Sequence, residues 1–219
     1  MAFAKKKDWE AMAKASVDKP PILRVLVACE VNGRIRDAFR GRGHDAWSCD
    51  ILSSDSPFHI QDDVLSHLND GWELMIAHPP CTHLSVSGAR WFTEGKKDYK
   101  LREDALEFVR KLMEAEIKYI AVENPVSVIS SQIRKPDQLI HPWQFGHPEE
   151  KRTCLWLKNL PKLIPTNDVY DEMMKLPKKE RHKIWWMGSG HSAERSITYQ
   201  GWADAMADQW PGKGVCDYD

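Results

Sequence analysis

Short apolar runs alternate with stretches of helical periodicity through the first 125 residues of the chain. Four of these runs predict strands, at residues 22–28, 45–49, 73–77 and 118–122. Between them the pattern predicts a helix that opens at Asn32-Gly33, a short helix near residues 62–69 and a long helix over residues 98–116. Because strands that alternate with helices pair in parallel, the sequence predicts an α/β domain with a mostly parallel sheet and helices on both faces.

The rest of the chain lacks this regularity. Residues 158–197 carry several prolines and no clear period, so we expect a small irregular insertion there, after a core at residues 21–157. Residues 1–20 are expected to form an N-terminal extension, and residues 198–219 a C-terminal helix. A length of 219 residues with 42% hydrophobic content fits one substantial core better than two full domains.

Composition narrows the possible partners without choosing one. The 31 basic and 32 acidic side chains nearly cancel, so a nucleic-acid site would have to come from local basic patches. No stretch has the apolar length of a membrane helix, which predicts a soluble protein without a membrane partner. Five cysteines without C-x-x-C spacing indicate reduced thiols in the cytoplasm, and the scattered histidines indicate no metal site.

Chemically active side chains follow the predicted strands at the point where each strand ends. Glu30 and Asp50 come after the first two strands, and Cys81 and Glu123 come after the third and fourth. Open parallel sheets bind ligands outside the carboxyl ends of their strands. One polar residue after a strand is ordinary, but four at successive strand ends predict one crevice. Two prolines precede Cys81 and restrict the loop, which suits a thiol nucleophile.

The turn after the first strand, at residues 28–33, resembles a nucleotide-binding turn whose helix amides face a polar ligand. It contains a single glycine, so the motif is incomplete. Asp50 lies roughly twenty residues further on, a spacing typical of the acid that binds ribose hydroxyls. A simple cap or turn residue is the other interpretation of Asp50, and the sequence leaves both open.

The order of these motifs resembles the DNA cytosine carbon-5 methyltransferases, in particular their short phage-type members. The resemblance covers most of residues 23–210 and runs from the turn at residues 28–33 through Pro79-Pro80-Cys81 and Glu123-Asn124-Pro125 to Tyr199-Gln200-Gly201. It implies a Rossmann-like fold of S-adenosylmethionine-dependent methyltransferases, with a reduced recognition insertion and a final helix that closes the donor pocket. It also implies DNA as the partner, with the target cytosine flipped out or single-stranded.

The resemblance implies a role for each candidate site residue. Cys81 would add to carbon 6 of cytosine, a protonated Glu123 would hold ring nitrogen 3 and the exocyclic amine, and Arg152 would assist near the base or a phosphate. The residues implied to bind S-adenosylmethionine, or a modified form of it, are Cys29, Glu30, Val31, Asn32, Gly33, Asp50, Ile51, Asp63, Pro79 and Gly201. Those implied to contact the base or DNA are Pro80, Ser87, Asn124, Thr153 and Trp186.

Two features depart from the family pattern. Glu30 and Asn32 stand where the family usually has glycine, which allows either a Glu30 that binds the donor's amino group or a modified donor. The recognition insertion would have only about forty residues. Its adjacent Trp185 and Trp186 are expected to form a hydrophobic plug over the sheet, with stacking on bases as the alternative.

Two other classes of function remain open. A nucleotide-level enzyme similar to thymidylate synthase or deoxycytidylate hydroxymethylase would also attack carbon 6 with a cysteine that follows a proline. Such enzymes lack the Glu-Asn-Pro element one strand after the nucleophile. A catalytically silent relative could keep the fold and bind DNA or a host factor, although the intact Cys81 and Glu123 favour an enzyme.

Overall fold

The computed structural model describes residues 21–85, 98–187 and 192–211, so the predicted extension at residues 1–20 and the candidate Ser87 lie outside the described residues. The strands of the described part are β1 (Arg24–Ala28), β2 (Asp45–Asp50), β3 (His59–Gln61), β4 (Leu74–Ala77), β5 (Tyr119–Pro125), β6 (Gln138–Ile140) and β7 (Thr153–Lys158). The α-helices there are α1 (Arg34–Gly41), α2 (Tyr99–Glu114), α3 (Ile129–Gln132), α4 (Tyr170–Lys175), α5 (Lys178–Arg181), α6 (Lys183–Trp186), α7 (Ser192–Ser196) and α8 (Gln200–Gln209).

The strands form one sheet in the order β3-β2-β1-β4-β5-β7-β6. Neighbours from β3 to β5 pair in parallel, whereas β7 runs antiparallel to both β5 and β6. The predicted fold class, an α/β domain with a mostly parallel, Rossmann-like sheet, is confirmed. The chain moves outward from β1 to β3 and then returns to place β4 on the other side of β1. Sheets of this kind bind ligands at such a switch point, beyond the carboxyl ends of the strands.

Helices cover both faces of the sheet, which explains why the central strands are apolar at nearly every position. All four residues of β4 are buried, and so are four of the five in β1. On one face α1 and α8 contribute Phe39 and Trp202 to the core, and on the other face α2 contributes Val109 and Leu112. Burial of each such side chain contributes about 1.5–3 kcal/mol or more to folding, which holds the strand ends in fixed positions.

Several local features differ from the sequence expectations. β3 and β6 were not among the predicted strands, because three residues are too few to show an alternating pattern. The predicted helix near residues 62–69 is a short 3-10 helix at Val64–His67. The segment at residues 158–197 contains the short helices α4 to α7, and its Met173 is buried. Among the described residues, no helix combines the length and the apolar character needed to cross a bilayer.

Candidate active site

The four predicted strand-end residues lie along one edge of the sheet. Glu30 follows β1, Asp50 ends β2, Cys81 follows β4 and Glu123 lies in β5. Because β1, β2, β4 and β5 are all parallel, their carboxyl ends point to the same edge. Cys81 and Glu123 lie close enough for the carboxylate charge to raise the pKa of the thiol, in addition to the effect of burial. The edge therefore brings a thiol and a carboxyl group together, as the sequence led us to expect.

The loop that carries Cys81 is held by a buried amide. Asn124 is 1% exposed, and its Nδ2 donates to the carbonyl oxygen of Pro79 at 2.8 Å. On the other side of the thiol, the Cys81 carbonyl accepts hydrogen bonds from the N–H groups of Leu84 and Ser85, at 3.1 and 2.9 Å. Burial leaves Asn124 with little surface for the predicted contact with a base. Its observed role is to fix the loop, whereas Pro80 is exposed beside the thiol.

The Cys81 thiol is neutral at neutral pH. Burial raises its pKa, and the negative charge of Glu123 raises it further. Two cations act in the opposite direction, because the charges of Arg195 and Lys151 favour the thiolate. A thiol in this environment needs a change in its surroundings, such as loss of the negative charge on Glu123, before it becomes a nucleophile.

The Glu123 carboxyl group is ionised when the site is at rest. Burial raises its pKa, but the hydrogen bond and charge of His78, together with the charge of Lys151, outweigh that effect and hold the pKa below its usual range. The contact with His78 joins Nδ1 to Oε2 at 3.1 Å. A Glu123 that acts in its protonated form, as the sequence resemblance implies, must therefore gain a proton when a substrate binds.

Lys151 is a basic residue whose charge acts on both members of this pair, although the sequence pointed to its neighbour Arg152. The charge of Lys151 acts on both Cys81 and Glu123, and its Nζ donates to the carbonyl oxygen of Arg195 at 3.2 Å. Arg152 is exposed, and its charge acts on other groups. Lys151 and Thr153, two residues apart where the chain enters β7, both act on Glu123, which matches the alternation of side chains in extended backbone. That signal was available in the sequence.

Glu30 caps α1 from within the turn. Its carboxylate accepts hydrogen bonds from the N–H groups of Ile35 at 2.9 Å and Arg36 at 3.3 Å, and the residue is only 2% exposed. These are the helix amides that the sequence predicted to face a ligand. The amides of the first turn are thus satisfied by the protein's own carboxylate, which explains the acid at a position where glycine was expected.

Two further residues of the turn, Cys29 and Gly33, adopt a positive φ. Gly33 adopts φ 72°, and a methyl group on it would overlap the guanidinium of the buried Arg36, so the protein itself occupies the space beside this glycine. Cys29 also has a positive φ, of 61°, and burial followed by the charge of Asp50 raises the pKa of its thiol to about 12. The turn is therefore packed against its own side chains, with Val31 and Asn32 at its surface.

The end of β2 offers a more open surface. Oδ1 of Asp50 accepts a hydrogen bond from the N–H of Leu52 at 2.9 Å, and the next residue, Ile51, is 73% exposed. Asp63 caps the helix at Val64–His67 by accepting from the N–H of Leu65 at 3.0 Å. A carboxylate beside an exposed aliphatic side chain is a suitable surface for the ribose and the flat ring of an adenosine. These residues remain accessible, whereas the amides of the turn after β1 are occupied by Glu30.

Gly201 packs against the loop before β7. A methyl group on it would overlap the carbonyl oxygen of Phe145, and its N–H donates to Nε2 of His147 at 3.0 Å. Tyr199, just before α8, is buried, and its hydroxyl donates to Oε2 of Glu149 at 2.8 Å. Close packing accounts for the glycine without a bound cofactor.

The tryptophan pair of α6 is exposed. Trp185 is 74% and Trp186 is 52% exposed, and their rings meet edge to face with centroids 4.9 Å apart. The expectation that they form a hydrophobic plug over the sheet is wrong. Exposed basic residues flank them in α5 and α6, namely Lys178, Lys179 and Lys183.

Comparisons with known proteins find similarity among solved structures. No family model and no curated protein matches the chain. A structure described as a DNA modification methyltransferase encoded within a prophage of E. coli has 20% identity and a TM-score of 0.43, over 71% of this chain and 56% of its own. The methyltransferase EhMeth of Entamoeba histolytica has 13% identity and a TM-score of 0.46, over 68% of this chain and 58% of its own. At these values neither likeness identifies a substrate or a reaction for this chain.

Proposed function

We propose that this protein transfers a methyl or related alkyl group from a donor of the S-adenosylmethionine type to carbon 5 of cytosine in DNA. The observation that carries the proposal is the pairing of Cys81 and Glu123 at the carboxyl ends of the adjacent parallel strands β4 and β5. Carbon 5 of cytosine is a poor nucleophile. Addition of a thiolate to carbon 6 makes it reactive, and a carboxyl group that binds nitrogen 3 stabilises the charge that develops.

The protonation states of the pair fit such a reaction. At rest Cys81 holds a proton and Glu123 does not, whereas the attacking state needs a Cys81 thiolate and a protonated Glu123. The resting pair and the attacking pair each hold one proton, so activation only requires that the proton leaves Cys81 and that Glu123 gains one. Once Glu123 is neutral it no longer disfavours the thiolate, and Lys151 continues to favour it. After transfer, loss of the carbon 5 proton and of the Cys81 sulfur restores the aromatic ring.

Asp50, Ile51 and Asp63 are the residues we assign to the donor. The sulfonium of such a donor, when bound, supplies an electrophilic alkyl group. Asp50 would accept hydrogen bonds from ribose hydroxyls, and the exposed Ile51 would lie against the adenine ring. Glu30 is occupied at the start of α1, so the donor's amino-acid end would have to be bound by other groups. This difference is why the proposal includes a modified alkyl donor.

The exposed surface of α5 and α6 supports DNA, rather than a free nucleotide, as the substrate. Lys178, Lys179 and Lys183 supply positive charge, and Trp185 and Trp186 supply aromatic faces. Stacking of a base on an aromatic side chain contributes about 1–3 kcal/mol, which is comparable with the few kcal/mol needed to unstack a target base. We therefore assign this surface, which includes the predicted contact Trp186, to DNA.

The test uses DNA that contains 5-fluorocytosine, because fluorine at carbon 5 blocks the final elimination and traps the adduct. Wild-type protein with S-adenosylmethionine should form a covalent complex that survives denaturation and that mass spectrometry assigns to Cys81. Cys81→Ala should form none, whereas the matched control Cys154→Ala should still form it. Absence of the complex in wild type, or its presence in Cys81→Ala, would contradict the proposal. A complex with 5-fluorodeoxycytidylate but not with DNA would favour the nucleotide-level alternative.

A further inference from the structure

His78 links two carboxyl groups at the strand ends. It directly follows β4, and its backbone N–H donates to the carbonyl oxygen of Ala28, at the end of β1, at 2.9 Å. Its Nδ1 lies 3.1 Å from Oε2 of Glu123, and both side chains are 14% exposed. The main chain of His78 is therefore tied to the end of β1 while its ring contacts Glu123 of β5, so the residue bridges the two strands on either side of β4. The low exposure of both side chains leaves little room for the ring or the carboxyl group to turn away.

The charge of His78 acts on carboxyl groups at the ends of both β1 and β5. Burial raises the pKa of Glu30, in the turn after β1, and the charge of His78 lowers it. The ring's other nitrogen, Nε2, is buried and has no hydrogen-bond partner among the described residues. Among the described residues, the side chain of His78 therefore forms a hydrogen bond only with Glu123, whose carboxyl group is assigned to the cytosine ring.

We propose that His78 is a positioning residue that holds the Glu123 carboxyl group by one oxygen, so that the other oxygen is presented to the cytosine ring. This inference rests on the function proposed above. An ionised carboxylate can only accept, so Nδ1 must carry the proton of the contact. With Oε2 held in this way, rotation about the end of the side chain is restricted and Oε1 remains for nitrogen 3 or the exocyclic amine.

Other groups also face Glu123, and they limit what His78 does alone. Lys151 and Thr153 approach from the start of β7, and Cys81 approaches from the loop after β4. Of these, Lys151 stabilises the ionised carboxylate by its charge and Cys81 supplies the thiol of the reaction. Removal of His78 should therefore weaken, but not abolish, the preference of Glu123 for its ionised form.

The kinetic test compares His78→Ala with His78→Asn. Asparagine places an amide N–H close to the position of Nδ1, so it can keep the hydrogen bond without the charge. His78→Ala should lower kcat by roughly tenfold to a hundredfold, the loss expected for one hydrogen bond to a charged group, with little change in KM for DNA. His78→Asn should recover most of this loss. In both variants the acidic limb of the kcat profile should move to higher pH, because Glu123 then takes up a proton more readily.

A second measurement needs no catalysis. Nitrogen-15 spectra of the histidine rings should show a proton on Nδ1 of His78 whose signal shifts in Glu123→Gln, where the acceptor is weaker. The signal would also test the contact if His78→Ala fails to fold. If the signal and its shift are present but wild type forms no adduct, the proposed function fails. If the adduct forms but the signal is absent, or if both variants keep the wild-type rate and pH profile, His78 has no positioning role.

Discussion

Gly201→Ala should destabilise the protein, and the structure allows the size of the effect to be estimated. Gly201 lies in the first turn of α8, where the main chain of Phe145 approaches it. A methyl group at this position would overlap the Phe145 carbonyl oxygen. No change of side-chain rotamer can relieve an overlap with main chain, so either α8 or the loop around Phe145 must move.

Two opposing effects set the magnitude. Overpacking of a closely packed contact typically costs about 1–3 kcal/mol, and a main-chain obstacle favours the upper half of that range. Alanine in a helix gains up to about 1 kcal/mol over glycine. The net loss in the free energy of unfolding should therefore be about 1–2 kcal/mol. Any displacement would also strain the hydrogen bond from the Gly201 N–H to His147, which is 3.0 Å long.

Urea denaturation followed by tryptophan fluorescence measures this loss. Gly41→Ala is the matched control, because Gly41 ends α1 and has no atom within 4 Å of the position of a new methyl group. It should be neutral or stabilising by up to about 1 kcal/mol. If Gly201→Ala is as stable as Gly41→Ala, the packing explanation is refuted. A stable Gly201→Ala that has lost binding of S-adenosylmethionine would favour the cofactor role implied by the sequence.

Four further changes have defined outcomes. Glu30→Ala should lower the free energy of unfolding by about 1–3 kcal/mol in urea denaturation, because two helix amides lose a buried acceptor. Asp50→Ala should weaken binding of S-adenosylmethionine by roughly 1.5–3 kcal/mol in calorimetry and leave stability nearly unchanged. Lys151→Met should slow adduct formation far more than Arg152→Met, measured as single-turnover rates, because of these two cations it is Lys151 whose charge acts on the reacting pair. The Glu123→Gln variant should lose less stability than the wild type as the pH falls below about 4.5. A carboxyl group whose pKa is lowered by folding stabilises the fold above its unfolded pKa, and this contribution disappears as the pH falls through the folded value.

The sequence predicted the parts of the fold whose pattern is local. The runs that became β1 and β4 are apolar at nearly every position, and the face of α1 repeats with helical spacing, so each element carries its own signal. β3 and β6 contain three residues each and depend on pairing with β2 and β7. Their existence follows from neighbours that are distant in the chain, which a local pattern does not reveal.

The orientation of side chains was harder to predict than their position. Glu30 was placed correctly after β1, but whether its carboxylate turns to the helix amides or to a ligand depends on the geometry of the turn. Trp185 and Trp186 are apolar enough for a core, yet the lysines beside them mark an exposed helix. Lys151 and Arg152 are adjacent cations just before β7, and of the two it is Lys151 whose charge acts on Glu123.

The protonation of the candidate site gives the clearest link between its structure and the proposed reaction. Glu123 is stabilised as a carboxylate by His78 and Lys151, and in that form it opposes ionisation of Cys81. The thiol is therefore protected while the site is at rest. A cytosine ring that hydrogen-bonds to a protonated Glu123 would remove the charge that opposes the thiolate, while Lys151 remains to favour it. Under the proposed function, binding of the base and activation of the nucleophile are then one electrostatic event.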